Sequence, residues 1–331
     1  MNERTTTASR ERVNTRTGRD AVTTVSVIIP VYNRRDLVVR AVRSVITQEL
    51  PPGWSLELIL VDDGSTDGSP DVVQEELERW SRDDERVRAL EPGRPAGWSV
   101  VRLNHGGTPG RARNAGAARA GGELLAFLDS DDRWLPGKLL RQIPLHTGAD
   151  QSSTSGAAIS HTRERWIRGD REISQAGKRF SRHRREGDLL EDALVKCIIG
   201  PSTTMISRAL WDRTGGFRED LEVAEDYEYW LRLVTLTPVA YIDEPLTEKH
   251  AGHGDQLSEK YGQIEVFRLQ GLQDLVERRW FAENRDLPAQ RLAERELARK
   301  ARIYAAGARK RGRRDDAERY EALAERYGPG D

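Results

Sequence analysis

The sequence predicts an α/β fold: a mostly parallel sheet sandwiched by helices, with an α-helical C-terminal extension. Three observations predict it. Short apolar, β-branched runs alternate with helical patterns in the first half of the 331 residues, as parallel strands joined by crossovers require. These runs end in polar turns. After Tyr261 the pattern is purely helical. The reading centres on Gly122–Pro136, G-E-L-L-A-F-L-D-S-D-D-R-W-L-P. Its apolar run, Leu124–Leu128, suits a strand buried on both faces. Burying Asp129, Asp131 and Asp132 together in a core would be very costly. They therefore belong past the strand end, in the crevice where open α/β sheets bind ligands.

Taken in order, Val25–Val31 is a strand by its β-branched residues. Asn33 is placed to cap the next helix, where Leu37, Val38, Ala41, Val42, Val45 and Ile46 recur with helical spacing. Pro51, Pro52 and Gly53 break it. Leu56–Val61 is a second strand, ending in D-D-G-S-T-D-G over residues 62–68. Ser69 and Pro70 start a helix as N-cap and first-turn proline. Val87–Leu90 is a third strand candidate. Glu91–Gly110 is a long Gly/Pro-rich loop with a short strand at Val100–Leu103. Arg111–Ala120 is a short helix stopped by Gly121-Gly122, and Pro136–His146 is another. Ile159–Ile167, a Gly169-Asp170 turn and Arg171–Ile173 form a hairpin. Asp188–Cys197 is helical, Ser202–Ser207 strand-like, and Arg208–Arg213 a short helix before Gly215-Gly216-Phe217. Glu225–Leu236 is an amphipathic helix and Val239–Ile242 a strand. Ile264–Phe281 reads as one helix, and Pro288–Lys310 with Asp315–Tyr327 as a pair around Gly312.

Composition narrows the function. With 53 Lys+Arg against 54 Asp+Glu the net charge is -1, so nothing general points to nucleic acid. The single cysteine, Cys197, rules out an intrachain disulfide and fits a reducing compartment. No apolar run approaches the ~18 residues of a bilayer span. Met1–Thr24 is rich in Thr and Arg and has no apolar h-region, so it reads as a disordered tail. The expected place is the cytoplasm, with peripheral contact at the inner face of the membrane open. The basic run 163–185 could face anionic acceptors or membrane phosphates there, or be a solvated loop.

The first strand ends in Pro30-Val31-Tyr32-Asn33 without G-x-G-x-x-G, and no G-x-x-x-x-G-K-[ST] occurs. A bound cation could hold phosphates in place of a glycine loop. Asp129 and Asp131, with small Ser130 between, can aim oxygens at one hard divalent cation. An isolated D-x-D also reads as a solvated acidic turn. Asp62 and Asp63 can accept hydrogen bonds from a base or ribose, though Asp-Gly after a strand is commonly a turn. Taken together, V-S-V-I-I-P-V-Y-N-R, V-D-D-G-S-T-D-G, A-R-N-A-G, F-L-D-S-D-D-R-W, G-G-F and E-D-Y-E-Y-W-L-R-L resemble the family 2 glycosyltransferases over Val25–His250.

The resemblance implies a GT-A-type fold and a metal-dependent, inverting enzyme of polysaccharide or glycoconjugate synthesis. It implies a nucleotide-sugar donor, UDP-linked by expectation, with Mn2+ or Mg2+. The acceptor would be a hydroxyl on a glycan, a lipid-linked sugar or another molecule. Motif by motif, Pro30, Val31, Tyr32, Asn33 and Asp62 fall on the nucleotide pocket, and Asp63 falls where a carboxylate meets the base. Arg113 and Asn114 fall beside that pocket, as do Asp129 and Ser130. Asp129 and Asp131 fall on the metal site, with Asp131 the direct ligand. Asp226, in Glu225-Asp226, falls on the catalytic base, although the pair alone reads as charge at a helix N-terminus. His250 is a further metal candidate within K-H-A-G-H-G-D-Q, beside His253 and Asp255, where a plain polar loop is the other reading. Trp134 and Trp230 suit either sugar stacking or the core. The expected domains are a tail over 1–22, a catalytic domain over 23–255 divided at 135/136 into nucleotide and acceptor halves, and a helical extension over 256–331 that could mediate assembly. Two readings compete: transfer to a polyprenyl phosphate, which needs no base, and an inactive nucleotide-sugar or glycan-binding module.

Overall fold

The computed structural model describes residues 23–92, 96–148, 156–175, 181–252 and 264–328. Among them the β-branched runs join one ten-stranded sheet. At its heart lies β1 (Thr23–Val31), parallel to β2 (Trp54–Asp62) on one side and β5 (Leu124–Phe127) on the other. Beyond β2 come β4 (Gly97–Arg102) and the two-residue β3 (Glu91–Pro92), both parallel. The chain thus winds outward from β1 and returns to its other side for β5. Such a reversal opens a crevice at the carboxyl ends of the strands. The far half of the sheet is mixed: β9 (Met205–Ser207), β7 (Ile159–Arg168), β10 (Ala240–Ala251) and β6 (Arg133–Trp134) follow β5 in that order. β8 (Arg171–Ile173) pairs with β7 as a hairpin.

Alternation along the strands builds two cores. Val25, Val27, Ile29 and Val31 face α1 (Arg35–Ile46) and α5 (Lys138–Thr147), joined by Leu58 and Leu60. Ile28, Ile59, Val61, Leu125 and Phe127 face the other way. There they meet α4 (Pro109–Arg119), α6 (Leu190–Val195) and α8 (Glu225–Leu236). A strand buried on both faces is mostly apolar, as β1 is from Val27 to Ile29; its buried Ser26 donates to Glu57 Oε2 of β2 at 2.5 Å. Helix α4 lies close against the sheet because Gly116 has no side chain: a Cβ there would come 2.4 Å from Ile28 Cγ2.

The C-terminal helices share the second core. Leu272, Leu275 and Val276 of Ile264–Glu277 join Tyr227 and Trp230 of α8. Helices Leu287–Lys310 and Arg314–Tyr327 close on each other through Ala301, Ala305 and Tyr320. Lys300 Nζ donates to the Val195 carbonyl at 2.8 Å, tying the extension to α6. Among the described residues no helix is long and apolar enough to cross a membrane.

Several expectations change. Val87–Leu90 is not a strand: the Asp84 carboxylate accepts from Arg86 N and caps the helix α3 (Glu85–Ala89). The third parallel strand is β4, longer than the segment read inside the loop. Asn33 does not cap α1. It takes φ 49, and its Oδ1 accepts from Thr66 N at 2.8 Å. Ile264–Phe281 is broken at Arg279, which adopts φ 57 and separates Ile264–Glu277 from Trp280–Asn284. The strand read at Val239–Ile242 runs on as β10, past a register shift at Pro245. The hairpin and Glu225–Leu236 stand as expected. The tail 1–22, Lys178, Arg179, His253, Asp255 and the 255/256 boundary lie outside the described residues.

Candidate active site

The crevice at the ends of β1, β2 and β5 opens into a cavity of about 820 Å³. At its β1 end Tyr32 is exposed, and its ring stacks on His105 with centroids 4.0 Å apart and planes at 13°. Asp63 is buried beside it. Its Oδ1 accepts from Gly106 N and its Oδ2 from Gly107 N, each at 3.0 Å. His105 Nδ1 lies 2.9 Å from Oδ2, and Arg111 Nη1 3.3 Å from Oδ1. The segment His105–Gly107 is thus folded over this carboxylate.

The opposite wall is built on Arg113, whose side chain is 5% exposed. Its Nη2 donates to Asp129 Oδ1 at 2.6 Å and its Nη1 to Glu225 Oε1 at 2.5 Å. The guanidinium lies 5.4 Å from the Phe217 ring centroid. Asn114 grips the Phe217 backbone from both sides, donating to its carbonyl and accepting from its N–H, each at 2.8 Å. The A-R-N, G-G-F and E-D blocks are therefore one physical unit. One guanidinium can neutralise only one of two carboxylates. Burial pushes the Glu225 carboxyl up to about 7 against the pull of Arg113. Burial also acts to raise Asp129, but Arg113 and Lys249 outweigh it and hold that carboxyl below its usual range.

Ser202 fixes the turn after β5. Its Oγ accepts from Asp129 N at 3.1 Å and donates to Asp132 Oδ2 at 2.6 Å. Asp132 is buried, and burial drives its carboxyl well above the usual range. Asp131, half-buried, stays in the cavity wall. Asp226 stands in the first turn of α8, with Oδ1 accepting from Tyr227 N at 2.7 Å and Cys197 Sγ 3.5 Å from Oδ2. Lys249 of β10 also lines the cavity. Burial would lower its ammonium's pKa, but Glu164, Asp132, Asp129 and Asp131 hold it well above the usual lysine value.

Most of the expected residues meet here. Pro30, Val31, Tyr32, Asn33 and Asp63 line one side; Arg113, Asp129, Ser130, Asp131 and Asp226 line the other. Asp62, Asn114 and His250 are not among the lining residues. Asp62 Oδ1 accepts from Ser65 N at 3.0 Å within its own turn, and Asn114 is committed to Phe217. His250 Nε2 lies 3.2 Å from Glu248 Oε1. Trp134 and Trp230 are core residues, each 2% exposed. In the basic run Arg163 pairs with Asp243, Arg165 with Glu248, and Arg182 and Arg185 with Asp192. Sequence reasoning missed His105, Ser202 and Lys249. A signal for Lys249 existed: it adjoins His250 on a strand, and successive strand side chains face opposite ways.

Among the described residues no group of three or more His, Cys, Asp or Glu could hold a metal ion. Asp131 and Asp129 still offer hard carboxylate oxygens at the cavity wall. That set fits a divalent cation bound by one or two carboxylates plus substrate phosphates.

The family model Glycosyl transferase family 2 matches residues 26–214. A Bacillus subtilis protein named as a teichuronic acid biosynthesis glycosyltransferase is 34% identical over 228 residues, 68% of this chain and 77% of that protein. A succinoglycan biosynthesis protein of Rhizobium meliloti is 35% identical over 141 residues, 43% of this chain and 33% of that protein. Staphylococcus aureus TarS in complex with UDP-GlcNAc superposes with TM-score 0.56 at 18% identity, covering 92% of this chain and 91% of that one. The mannosyltransferase PcManGT of Pyrobaculum calidifontis, in complex with GDP-Man and Mn2+, gives TM-score 0.53 at 18% identity, over 92% and 86%. At such identity the structures speak for the fold, and the family match and the Bacillus relative for the membership. This chain belongs to glycosyl transferase family 2: it is a glycosyltransferase with a GT-A fold.

Proposed function

We propose that this enzyme moves a sugar, with inversion, from a nucleoside-diphosphate donor, UDP-linked, to a hydroxyl acceptor in polysaccharide or glycoconjugate synthesis. One observation carries the reading. Asp226 and Asp131 face the same cavity, and Glu225, Arg113 and Asp129 tie their two segments together. A proton acceptor and a leaving-group end are thereby held in one rigid wall. The donors named in the TarS and PcManGT complexes support a nucleotide sugar.

In this reading Tyr32 and Asp63 meet the nucleoside. Asp131, with Asp129, would hold Mn2+ or Mg2+, which when bound supplies Lewis-acid neutralisation of the leaving diphosphate. The chain itself handles the proton. An acceptor hydroxyl is a weak nucleophile at neutral pH, and a positioned carboxylate that takes its proton contributes about 10²–10⁴-fold. Asp226 is that carboxylate, oriented by the Tyr227 N–H. Attack from its side, opposite the leaving group, inverts the anomeric carbon. Residues 23–255 form the catalytic unit, and the helical extension braces α8 behind Asp226.

The test is a panel of UDP- and GDP-sugars with Mn2+, scored first by thermal stabilisation. Transfer is then followed by NMR of the product's anomeric proton. Stabilisation by one donor and a product of opposite anomeric configuration support the proposal. A product of retained configuration overturns inversion, and no response to any nucleotide sugar overturns the donor.

A further inference from the structure

Lys249 and His250 are neighbours on β10, and they diverge. Lys249 lines the cavity, while His250 Nε2 lies 3.2 Å from Glu248 Oε1. The Lys249 ammonium sits 5.9 Å from the Trp166 ring centroid. Gly200 leaves room for it: a Cβ there would come 3.6 Å from Lys249 Nζ and 3.0 Å from Glu164 Oε2. The lysine thus stands between Glu164 and the Asp129–Asp132 turn.

Two features separate it from Arg113, the buried cation of the wall. Arg113 has both terminal nitrogens committed, one to Asp129 and one to Glu225. Lys249 carries no such commitment. Among the described residues no carboxylate forms an ion pair with its ammonium, although Glu164, Asp132, Asp129 and Asp131 all act on it. Glu164 is arranged in a matching way. Its Oε1 accepts from Trp166 Nε1 at 2.6 Å, whereas its buried Oε2 has no hydrogen-bond partner. An open buried acceptor is costly, and an ammonium nearby offsets that cost. An ammonium has three donors in a compact head. Set at the edge of a cavity, it can give some of them to a ligand.

The ligand that needs them is anionic. The same wall carries Asp129, Asp131 and Asp132, so a diphosphate entering it meets like charge. We propose that Lys249 is a protein-borne cation for the donor's diphosphate, its ammonium donating to a phosphate oxygen. The ammonium stays with that oxygen as the sugar–oxygen bond breaks, and offsets the charge left on the nucleoside diphosphate. This rests on the transfer reading above.

Calorimetric titration of UDP and GDP, beside phosphate-free uridine and guanosine, tests it, with Mn2+ and again with EDTA. Lys249→Gln should weaken the diphosphate bound by the wild type about tenfold or more, as loss of a charged hydrogen bond implies. The loss should persist in EDTA, nucleoside binding should not change, and Lys249→Arg should recover most of it. If Lys249→Gln melts early, Lys249→Met, which keeps an unbranched stem without the charge, takes its place. Equal diphosphate binding by wild type and variant removes Lys249 from this role while leaving the transfer reading intact. An equal loss for nucleoside and diphosphate also refutes it, because the effect is then one of shape. A wild type that binds neither diphosphate overturns both readings.

Discussion

Arg113→Met removes the one charge that joins the D-S-D turn to Glu225-Asp226. Its partners are not equally placed: the Glu225 side chain is 6% exposed and that of Asp129 26%. Breaking a buried ion pair costs about 3–5 kcal/mol, because a charge is left uncompensated. The partial exposure of Asp129 moves the expectation to the lower end, about 3–4 kcal/mol. For a chain of 331 residues that is a fall in melting temperature of roughly 4–6 °C. The loss should depend on pH, and its sign is fixed. Without Arg113 both carboxyls shift up in the folded state, Asp129 from a lowered value and Glu225 from one already raised. A carboxyl with a raised folded pKa costs nothing below its unfolded value and costs most above its folded one. Glu225 already stands at about 7 against 4.5 unfolded. The Asp129 part of the variant's deficit should therefore already be present at pH 5, and the Glu225 part should be added as pH rises through 7 and beyond. Urea unfolding at pH 5 and pH 8 measures it. Adding Glu225→Gln, which keeps an acceptor but no charge, should recover part of the stability at pH 8. A deficit equal at both pH values, or none, would refute the argument that these carboxylates depend on one buried cation.

Asp131→Ala should abolish the metal-dependent part of donor binding and leave the melting temperature unchanged, since the residue lies beyond the end of β5. Titrating UDP-sugar with and without Mn2+ checks this, and an unaltered metal dependence removes Asp131 from the site. His161 should make the fold acid-sensitive. It is buried, its Nε2–H donates to the Arg185 carbonyl at 3.0 Å, and burial lowers it from 6.5 to about 4. Its contribution is complete above pH 6.5 and is lost as pH falls toward 4, about 3 kcal/mol at most at roughly 1.36 kcal/mol per unit. His161→Gln should flatten stability against pH in that window. An unchanged slope would show that His161 takes up a proton without unfolding.

The outline of this chain was legible wherever local pattern and tertiary role agree. Leu124–Leu128 reads as a buried strand because both of its faces are covered, and Glu225–Leu236 reads as a helix because its apolar period matches the core it meets. The misreadings have physical causes. Val87–Leu90 has strand-like residues, but the Asp84 cap outweighs their propensity. β10 reads short in the sequence because Pro245 and the charges after it resemble a loop, whereas its far end pairs with β6 and β7 inside the sheet. In the site the motif residues were legible, but their partners were not. Nothing local in A-R-N says that one guanidinium will bridge Asp129, 16 residues on, to Glu225, 112 residues on. Ser202 is a lone serine in a Gly-Pro-Ser-Thr turn, and only the fold brings its hydroxyl beneath Asp129 and Asp132.

The central claim is that Asp226 takes the proton of a hydroxyl acceptor in the cavity where the donor's leaving group is held. Asp226→Asn keeps size and most hydrogen bonding but removes the proton acceptor. The direct measurement is its single-turnover transfer rate to a hydroxyl acceptor, beside donor affinity and a thermal melt on the same preparation. The account predicts a rate lower by about 10²-fold or more with donor affinity and melting temperature little changed. A wild-type rate would contradict it: on a hydroxyl acceptor it would take Asp226 out of the mechanism, and survival on a phosphate acceptor alone would point to transfer onto a polyprenyl phosphate.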